Sequence, residues 1–222
     1  MYLPSHFEEK RAEVLHAALH AHPLGLLITQ AHDGALAANP IPFILDVDAD
    51  GARVLRGHVA RANPLWREAR GDVDSLVVFQ GPQAYVSPGW YATKAEHGKV
   101  VPTWNYVMVQ ARGPLRVRDD AAWLHAFVTR LTDTHEAPRT EPWAVSDAPA
   151  DYIATMLRAI VGIEIVLTAL TGKWKVTQNR NEVDRNGVVY GLRAQAEQHG
   201  DAQAAAVADW VAGGGPKSAA NP

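Results

Sequence analysis

The stretch that most constrains the fold is Phe79–Gly113, where aromatic rings and small polar side chains lie between two hydrophobic runs. It contains two of the seven tryptophans and three of the six tyrosines of the chain. The flanking runs, Ser75–Gln80 and Tyr106–Ala111, have the composition of strands. Two interpretations remain open at this point. The segment between the strands presents a surface for a flat polar ligand, or its rings close one end of a β-barrel.

Short apolar segments before this stretch predict antiparallel strands. The two Asp-Gly pairs, Asp33-Gly34 and Asp50-Gly51, are strong turn signals. Pro40 and Pro42 would interrupt a central ladder, so the strand that contains them is expected at an edge or with a bulge. A meander of three strands is predicted here: Leu24–Gln30, Leu36–Leu45 and Arg53–His58.

The rest of the chain adds strands and a smaller number of helices. The further predicted strands are Ser75–Gly81, Ala84–Val86, Thr103–Arg112, Leu115–Val117 and Gly162–Leu170, with a turn at Gly113-Pro114. The predicted helices are Phe7–Ala21, Ala121–Asp133, Ala150–Ile160 and Glu182–Ala196. The first has a capping-box spacing at Ser5 and Glu8, and the last has Asn181 as its cap. The fold class is therefore mainly β with peripheral helices (α+β).

Composition excludes several kinds of chemistry. The chain has no cysteine, which rules out disulfides, thiolate metal sites and cysteine nucleophiles, so redox chemistry would require a bound cofactor. A net charge of -3 gives no general attraction to nucleic acid or to an anionic membrane. No apolar run is long enough for a membrane span, and the charged N-terminal segment lacks a signal-peptide pattern. His16 and His20 have a metal-ligand spacing without a carboxylate partner, which favours a solvated or capping role and no metal site.

Gly57–Arg67 is the first candidate binding segment. Its predicted strand ends at His58, and Asn63 followed by Pro64 is a good start for a short helix. Backbone N–H groups at such a start favour an anion, and the Arg61 guanidinium adds donors that suit phosphate oxygens. The alternative is a capped turn whose basic residues face water. No GxGxxG or P-loop sequence occurs in the chain.

Thr171–Arg180 is the second candidate. Lys173 and Lys175 alternate with apolar residues, which predicts a strand end with a basic face that continues to Gln178 and Arg180. The alternative is a solvated basic face. The cluster does not stand alone, because it is a second candidate anion site in a chain that already has one.

Five motifs together resemble the PaiB-type proteins, which are described as FMN-binding negative transcriptional regulators. They are YLPSHF at 2–7, GHVARANPLW at 57–66, YVSPGWY at 85–91, VPTWNY at 101–106 and GKWKVTQNR at 172–180. The match runs in order to about Ala196. It implies an FMN-binding split β-barrel over residues 1–196 as a single domain with helical additions, followed by a partly disordered C-terminal extension over 197–222.

The resemblance also implies FMN as the cofactor and a homodimer with flavin sites at its interface. The implied phosphate-gripping turn contains His58, Arg61 and Asn63. The implied ring-binding strand contains Thr103, Trp104 and Asn105, and the C-terminal strand that reaches the cofactor contains Lys173, Lys175, Gln178 and Arg180. Tyr85–Tyr91 is a candidate dimer contact.

The function implied is that of a cytoplasmic FMN-binding regulator. The alternatives are an FMN-dependent oxidoreductase, of the flavin reductase or pyridoxamine phosphate oxidase kind, and a haem-related binding protein. Direct DNA binding has weak support, since no helix-turn-helix pattern is present and the net charge is slightly acidic. No catalytic residue stands out, so enzymatic activity stays an open question.

Overall fold

The computed structural model describes residues 1–48 and 51–213. Its strands are β1 (Glu8–Glu9), β2 (Leu24–Gln30), β3 (Leu36–Pro42), β4 (Ile44–Val47), β5 (Arg53–Ala60), β6 (Asp74–Val86), β7 (Thr103–Arg118), β8 (Ile160–Val166) and β9 (Ala169–Lys175). Its helices are α1 (Ala12–Ala21), α2 (Leu65–Glu68), α3 (Lys94–His97), α4 (Ala121–Glu136), α5 (Ala150–Arg158), α6 (Glu182–His199) and α7 (Ala202–Val211). Every strand pair whose register is known is antiparallel. This architecture matches the predicted mixture of a large sheet and peripheral helices.

The described chain divides into two compact units. Unit 1 contains Met1–His22, Phe79–Gln110 and the chain from Leu170 onward, and unit 2 contains Pro23–Val78 and Ala111–Ala169. Both β6 and β7 contribute residues to each unit.

Unit 2 contains the predicted hairpin and the strands around it. β2 pairs with β3 along its whole length, and Gly34 in the connecting turn has a φ of 89°, which supports the predicted turn. β3 lies at the end of the strand order, so the edge position predicted from Pro40 and Pro42 is confirmed. Buried side chains fill the interior of the unit, among them Leu27, Leu55, Val77, Ile163 and Ile165.

The predicted meander of three strands is wrong in one respect. The segment Leu36–Leu45 is two strands, because β3 ends at Pro42 and β4 begins at Ile44. β4 pairs with β5, and β5 pairs on its other side with β8. Gly51 has a φ of 84°, as expected in a turn, while Asp50 lies outside the described residues.

Unit 1 combines the remaining parts of β6 and β7 with β9, β1 and three long helices. β9 hydrogen-bonds to both β7 and β1, and Glu8 and Glu9 of β1 lie opposite Lys173 and Gly172. The Trp90 ring packs on α6 at Gly191, where an added Cβ would lie 2.3 Å from the ring. The turn that carries the aromatic motif is therefore held against α6.

The predicted turn at Gly113-Pro114 and the predicted break between the strands Ser75–Gly81 and Ala84–Val86 are both absent, because β7 and β6 run through them. β6 continues across Gly81-Pro82, and β7 continues across Gly113-Pro114. Neither glycine has a positive φ. Each instead lies close to a neighbouring strand: an added Cβ would be 3.1 Å from the Val107 side chain at Gly81 and 2.0 Å from the Val166 carbonyl oxygen at Gly113. At Gly113 the missing Cβ permits close approach of the Val166 backbone, and at Gly81 it leaves space for the Val107 side chain. Both roles are compatible with an uninterrupted strand.

The N-terminal helix begins later than predicted. Ser5–Phe7 forms a single 3₁₀ turn, Glu8–Glu9 joins the sheet, and the helix starts at Ala12. The Glu9 carboxylate accepts hydrogen bonds from Arg11, from its backbone N–H and its guanidinium. Pairing with β9 therefore replaces the capping box that the Ser5 and Glu8 spacing suggested.

Helices α4 and α6 begin where their capping residues predicted. Asp120 accepts from the Trp123 N–H at the start of α4, and Asn181 accepts from the Asp184 N–H at the start of α6. α7 follows within the predicted C-terminal extension and buries Ala204, Val207, Ala208 and Val211. The disorder predicted for the end of GGGPKSAANP concerns residues 214–222, which lie outside the described residues. The division at residue 196 stays a prediction.

Within residues 1–48 and 51–213, the helices are too short or too polar to cross a lipid bilayer.

Candidate functional site

Unit 1 contains a small pocket to which four parts of the chain contribute. We call it the Lys175–Arg180 pocket. Its lining residues are Phe7, Tyr91, Val101, Pro102, Thr103, Asn105, Lys175, Thr177, Asn179 and Arg180, around a cavity of about 120 Å³. Four of the predicted site residues, Thr103, Asn105, Lys175 and Arg180, are therefore brought together.

Thr177 is the most unusual residue of this pocket. It has a φ of 64°, although a β-branched residue is strongly disfavoured in that region, and its side chain is only 4% exposed. Its hydroxyl oxygen accepts a hydrogen bond of 2.6 Å from the buried Asn105 amide. Sequence reasoning missed Thr177, since a threonine among polar residues carries no signal of a left-handed backbone. Such strained residues cluster at binding and catalytic sites.

Lys175 lies at the end of β9 beside β7. Its ammonium donates to the Thr103 hydroxyl at 2.5 Å and lies 5.9 Å from the centre of the Tyr106 ring. The hydroxyl and the ring orient the amine without neutralising its charge. The positive charge is thus held at the pocket wall.

Arg180 is the second cation in the pocket lining. Its guanidinium carbon lies 4.9 Å from the centre of the buried Tyr91 ring. Burial raises the pKa of Tyr91, and the charge of Arg180 and its hydrogen bond to the phenol only partly offset this. Tyr91 therefore stays a neutral phenol at physiological pH. Among the described residues, neither Arg180 nor Lys175 has a carboxylate within ion-pair distance.

The loop that carries Tyr91 is anchored to α6. The buried Asp184 carboxylate accepts from the Thr93 N–H at 3.0 Å and from the Thr93 hydroxyl at 2.9 Å. The first turn of α6 thus fixes the position of one pocket wall.

Three further predicted residues lie in unit 1 outside the pocket lining. The Lys173 ammonium is buried between the Tyr2 and Tyr106 rings and donates to the Tyr2 carbonyl at 3.0 Å. The Gln178 amide donates to the Trp174 carbonyl and accepts from the Val176 N–H, so it stabilises the turn after β9. The Trp104 ring is 53% exposed and packs edge-on against Tyr85, with ring centres 6.1 Å apart.

The other three predicted residues lie in unit 2. Arg61 makes a two-pronged ion pair with Asp119, with N–O distances of 2.9 and 2.6 Å. It also donates to the carbonyls of Arg158 and Ile160. The ion pair raises the pKa of the Arg61 guanidinium and lowers the pKa of the Asp119 carboxyl. Four of the five N–H groups of a guanidinium are thereby used within the unit.

Asn63 and His58 differ in their surroundings. The Asn63 side-chain oxygen accepts from the Leu65 N–H at 3.0 Å, as expected of a helix cap, and its amide donates to Asn39. His58 is half-buried with its ring 5.8 Å from that of Phe127, and burial lowers the pKa of its imidazole. His58 is therefore neutral at physiological pH and adds no charge to this turn.

A shallow groove of about 490 Å³ lies beside Asn63 in unit 2. It is lined by Thr29, Ala31, Ala37, Ala38, Asn39, Asn63, Pro64, Leu65, Glu68 and Ala69. Ala37 and Ala38 lie on β3 and Ala31 directly follows β2, which leaves a smooth surface with the Asn39 and Asn63 amide groups in the same lining. Its volume is within the roughly 300–1,000 Å³ typical of small-molecule pockets. Over the described ranges, no three His, Asp or Glu side chains gather in a way that could hold a metal ion.

Comparison with known proteins agrees with the predicted family. Residues 1–169 match the family model described as "Putative FMN-binding domain". The protease synthase and sporulation protein PAI 2 of Bacillus subtilis is 30% identical over 195 residues, which cover 87% of this chain and 89% of that protein. An uncharacterized protein of Emericella nidulans is 34% identical over 226 residues, covering 86% of this chain and 90% of its own.

Solved structures share the fold at low identity. The conserved hypothetical protein Rv2991 of Mycobacterium tuberculosis superposes with a TM-score of 0.57 at 13% identity, covering 82% of this chain and 95% of its own. The flavocytochrome Anf3 of Azotobacter vinelandii gives 0.55 at 16% identity, covering 81% and 75%. The predicted fold class, a mainly β protein of the flavin-binding split-barrel type with peripheral helices, is confirmed.

Proposed function

Because this chain belongs to the PaiB-type FMN-binding family, we propose that it is a flavin-loaded regulator of gene expression that acts as a cytoplasmic homodimer. FMN is the cofactor that goes with this family. The regulatory role is supported by the relative from Bacillus subtilis, which is named for protease synthesis and sporulation. The dimer, the regulation and the location are the parts that experiments have to test.

Unit 1 and unit 2 each contain residues that, taken separately, suit FMN. FMN combines a flat ring system with a phosphate of nearly two negative charges. The groove beside Asn63 offers a smooth wall and amide groups for a ring. The Lys175–Arg180 pocket offers two cations and hydroxyl groups, with no carboxylate in its lining. The pocket with two cations, in a chain that matches the FMN-binding family over residues 1–169, is the observation that carries the proposal.

The site residues would hold the cofactor in distinct ways. When bound, FMN supplies electron and hydride transfer that no side chain of this chain can perform. Thr103 and Asn105 would donate hydrogen bonds to polar atoms of the ligand, while Lys175 and Arg180 would balance its charge. Trp104, Lys173 and Gln178 are proposed to support the same site, and His58, Arg61 and Asn63 to contribute the strand-to-helix turn.

The dimer proposal rests on an exposed aromatic face in unit 1. Tyr85 is 43% exposed and Trp104 is 53% exposed, and their rings are in contact. Val101 nearby in sequence is 66% exposed. Large aromatic side chains of this kind are enriched in protein interfaces. We propose that this face contributes to the contact between subunits.

We expect the purified protein to bind FMN with a dissociation constant in the micromolar range or below. Titration of FMN with the protein, followed by flavin fluorescence, measures this, and the colour of the purified protein is a first indication. Light scattering after gel filtration measures the mass and tests the dimer. Fluorescence that stays unquenched at saturating protein would contradict the FMN site.

Two measurements on the same preparation distinguish a regulator from an enzyme. A DNA mobility shift at physiological salt tests regulation through direct binding, since non-specific binding is lost as salt rises. Flavin reduction by NADH or NADPH tests the alternative function, an FMN-dependent oxidoreductase. Flavin reduction by NADH or NADPH without any DNA binding would identify the protein as an FMN-dependent oxidoreductase.

The predicted phosphate role of Arg61 has a clear test. If the phosphate lies at Arg61, as the family resemblance implies, and not in the Lys175–Arg180 pocket, Arg61→Ala should weaken FMN binding roughly tenfold more than riboflavin binding, because only FMN carries a phosphate. Asp119→Ala is the matched control, since it removes the ion pair and leaves the guanidinium in place. Its ratio of FMN to riboflavin affinity should not fall. Equal losses of both flavins in Arg61→Ala would identify Arg61 as a structural clamp within unit 2.

A further inference from the structure

We infer that the Lys175–Arg180 pocket is a binding site for an oxyanion of the size of a phosphoryl group. The inference deepens the proposed function in one respect: it rests on FMN binding only where the oxyanion is the phosphate of FMN itself. Apart from that case, the inference depends on the hydrogen-bond donors, the charges and the volume of the pocket.

The polar lining of the pocket is dominated by hydrogen-bond donors. The Lys175 ammonium has three N–H groups, of which one is given to Thr103. The Thr103 and Thr177 hydroxyl oxygens both accept from other side chains, Thr103 from Lys175 and Thr177 from Asn105. Each hydroxyl therefore keeps its own hydrogen for donation. Oxygen atoms of a phosphoryl group are the acceptors that such a set suits.

Charge selects an anion over a neutral polar ligand. Lys175 and Arg180 bring two positive charges, and the pocket lining contains no acidic side chain. Some cations of the described chain are paired with carboxylates, as Arg11 is with Glu9 at 2.6 Å, whereas Lys175 and Arg180 are among those that are not. Two cations without such partners on one concave surface create a site that a dianion would neutralise.

Size restricts the ligand to a small group. The cavity volume of about 120 Å³ lies far below the roughly 300–1,000 Å³ of pockets that enclose a whole cofactor. A flavin ring system does not fit inside it, whereas a phosphoryl group does. The pocket would therefore hold one end of a ligand or a small free anion.

The walls are rigid before any ligand arrives. Thr177 keeps a disfavoured backbone conformation, which persists only where surrounding contacts determine it. The buried bond from Asn105 supplies one such contact, and Asp184 fixes the loop of Tyr91 through Thr93. Pre-organised donors bind an anion without the cost of ordering them.

The two sources of the oxyanion are the phosphate of FMN and a separate small phosphate compound. Calorimetric titration with inorganic phosphate detects the site in either case. If FMN supplies the group, FMN abolishes phosphate binding while riboflavin does not. If a separate compound does, phosphate still binds to the FMN-loaded protein.

The decisive variant is Lys175→Met with Arg180→Met, and the matched control is Lys94→Met with Arg193→Met. Both remove one lysine and one arginine from unit 1, and the control residues lie outside the pocket lining. We expect the first pair to weaken phosphate binding at least tenfold, or to equalise the affinities for FMN and riboflavin, and the control to change neither. If the first pair does not fold, Arg180→Gln should give a smaller loss of the same kind.

The inference is overturned if wild-type protein binds no phosphate at millimolar concentration and the pocket variant keeps the normal preference for FMN over riboflavin. That outcome leaves the FMN proposal standing. Conversely, a wild-type protein that binds phosphate but no flavin removes the proposed function and keeps the oxyanion site.

Discussion

Gly113→Ala is expected to lower the free energy of unfolding by about 3 kcal/mol, in the upper range for overpacking a closely fitted interior. Gly113 lies in β7, and an added Cβ would be 2.0 Å from the Val166 carbonyl oxygen and 2.9 Å from its carbon. Both atoms belong to the backbone of unit 2, so no side chain can rotate away. β7 or β8 has to move, and their ladder at Leu115 and Ile165 is the first part to weaken.

Gly71→Ala is the matched control for this prediction. Gly71 also has a backbone carbonyl as its nearest neighbour, that of Leu115, but an added Cβ would be 3.5 Å from it, which is an ordinary contact. Its unfolding midpoint in urea should stay close to that of the wild type. Equal midpoints for both variants would mean that β7 and β8 leave room for a Cβ at Gly113.

Glu164→Gln is the second change with a large expected effect, a loss of about 3 kcal/mol in the free energy of unfolding. Glu164 is 3% exposed and accepts from Arg56 at 2.8 Å and from Arg118 at 2.5 Å. Arg56 also donates to Asp46 and Asp48, so Glu164 belongs to a network of alternating charges. Removing the buried carboxylate leaves two guanidinium groups facing a neutral amide.

The pH dependence of this loss follows from the pKa of Glu164. Burial raises that pKa, but the hydrogen bonds from Arg56 and Arg118 outweigh burial, so the folded-state pKa lies below the ordinary value of 4.5. The carboxylate therefore stabilises the fold fully above about pH 4.5, and the contribution is lost as the pH falls through the lowered folded-state pKa. The stability difference between wild type and Glu164→Gln should shrink in that acid range.

The control for the buried network is an exposed ion pair. Asp72→Asn breaks the pair with Arg70, whose partners are 34% and 67% exposed, and it should leave thermal unfolding unchanged within error. Thermal unfolding at pH 7 and at pH 4 measures all three proteins. A Glu164→Gln protein as stable as the wild type at pH 7 would contradict the role assigned to the network.

Several features of the fold were predictable because local chemistry decides them. Asp33-Gly34 needs a positive φ that glycine supplies, Asp120 and Asn181 have side-chain oxygens that cap helices, and Pro40 removes a ladder donor. Each effect acts within a few residues, so reading along the chain is enough. The family was recognisable for a related reason: five short motifs keep their order and spacing over most of the chain.

Other features depended on contacts between distant segments. Gly81 and Gly113 look like turn formers along the chain, yet both lie inside strands. Gly113 is required where the backbone of β8 comes too close for a Cβ, and Gly81 packs closely against the Val107 side chain of β7. The candidate site could not be predicted in full for the same reason. The hydrogen bond between Asn105 and Thr177 joins residues that are 72 positions apart.

Residue types and their order therefore determined the class of fold, the family and the chemistry available for an anion. Only the tertiary structure decided which cations are available to a ligand. Arg61 pairs with Asp119 while Lys175 and Arg180 line a pocket without a carboxylate. The physical reason is that a charge acts over a few ångströms in space, and the fold alone sets which charges are that close.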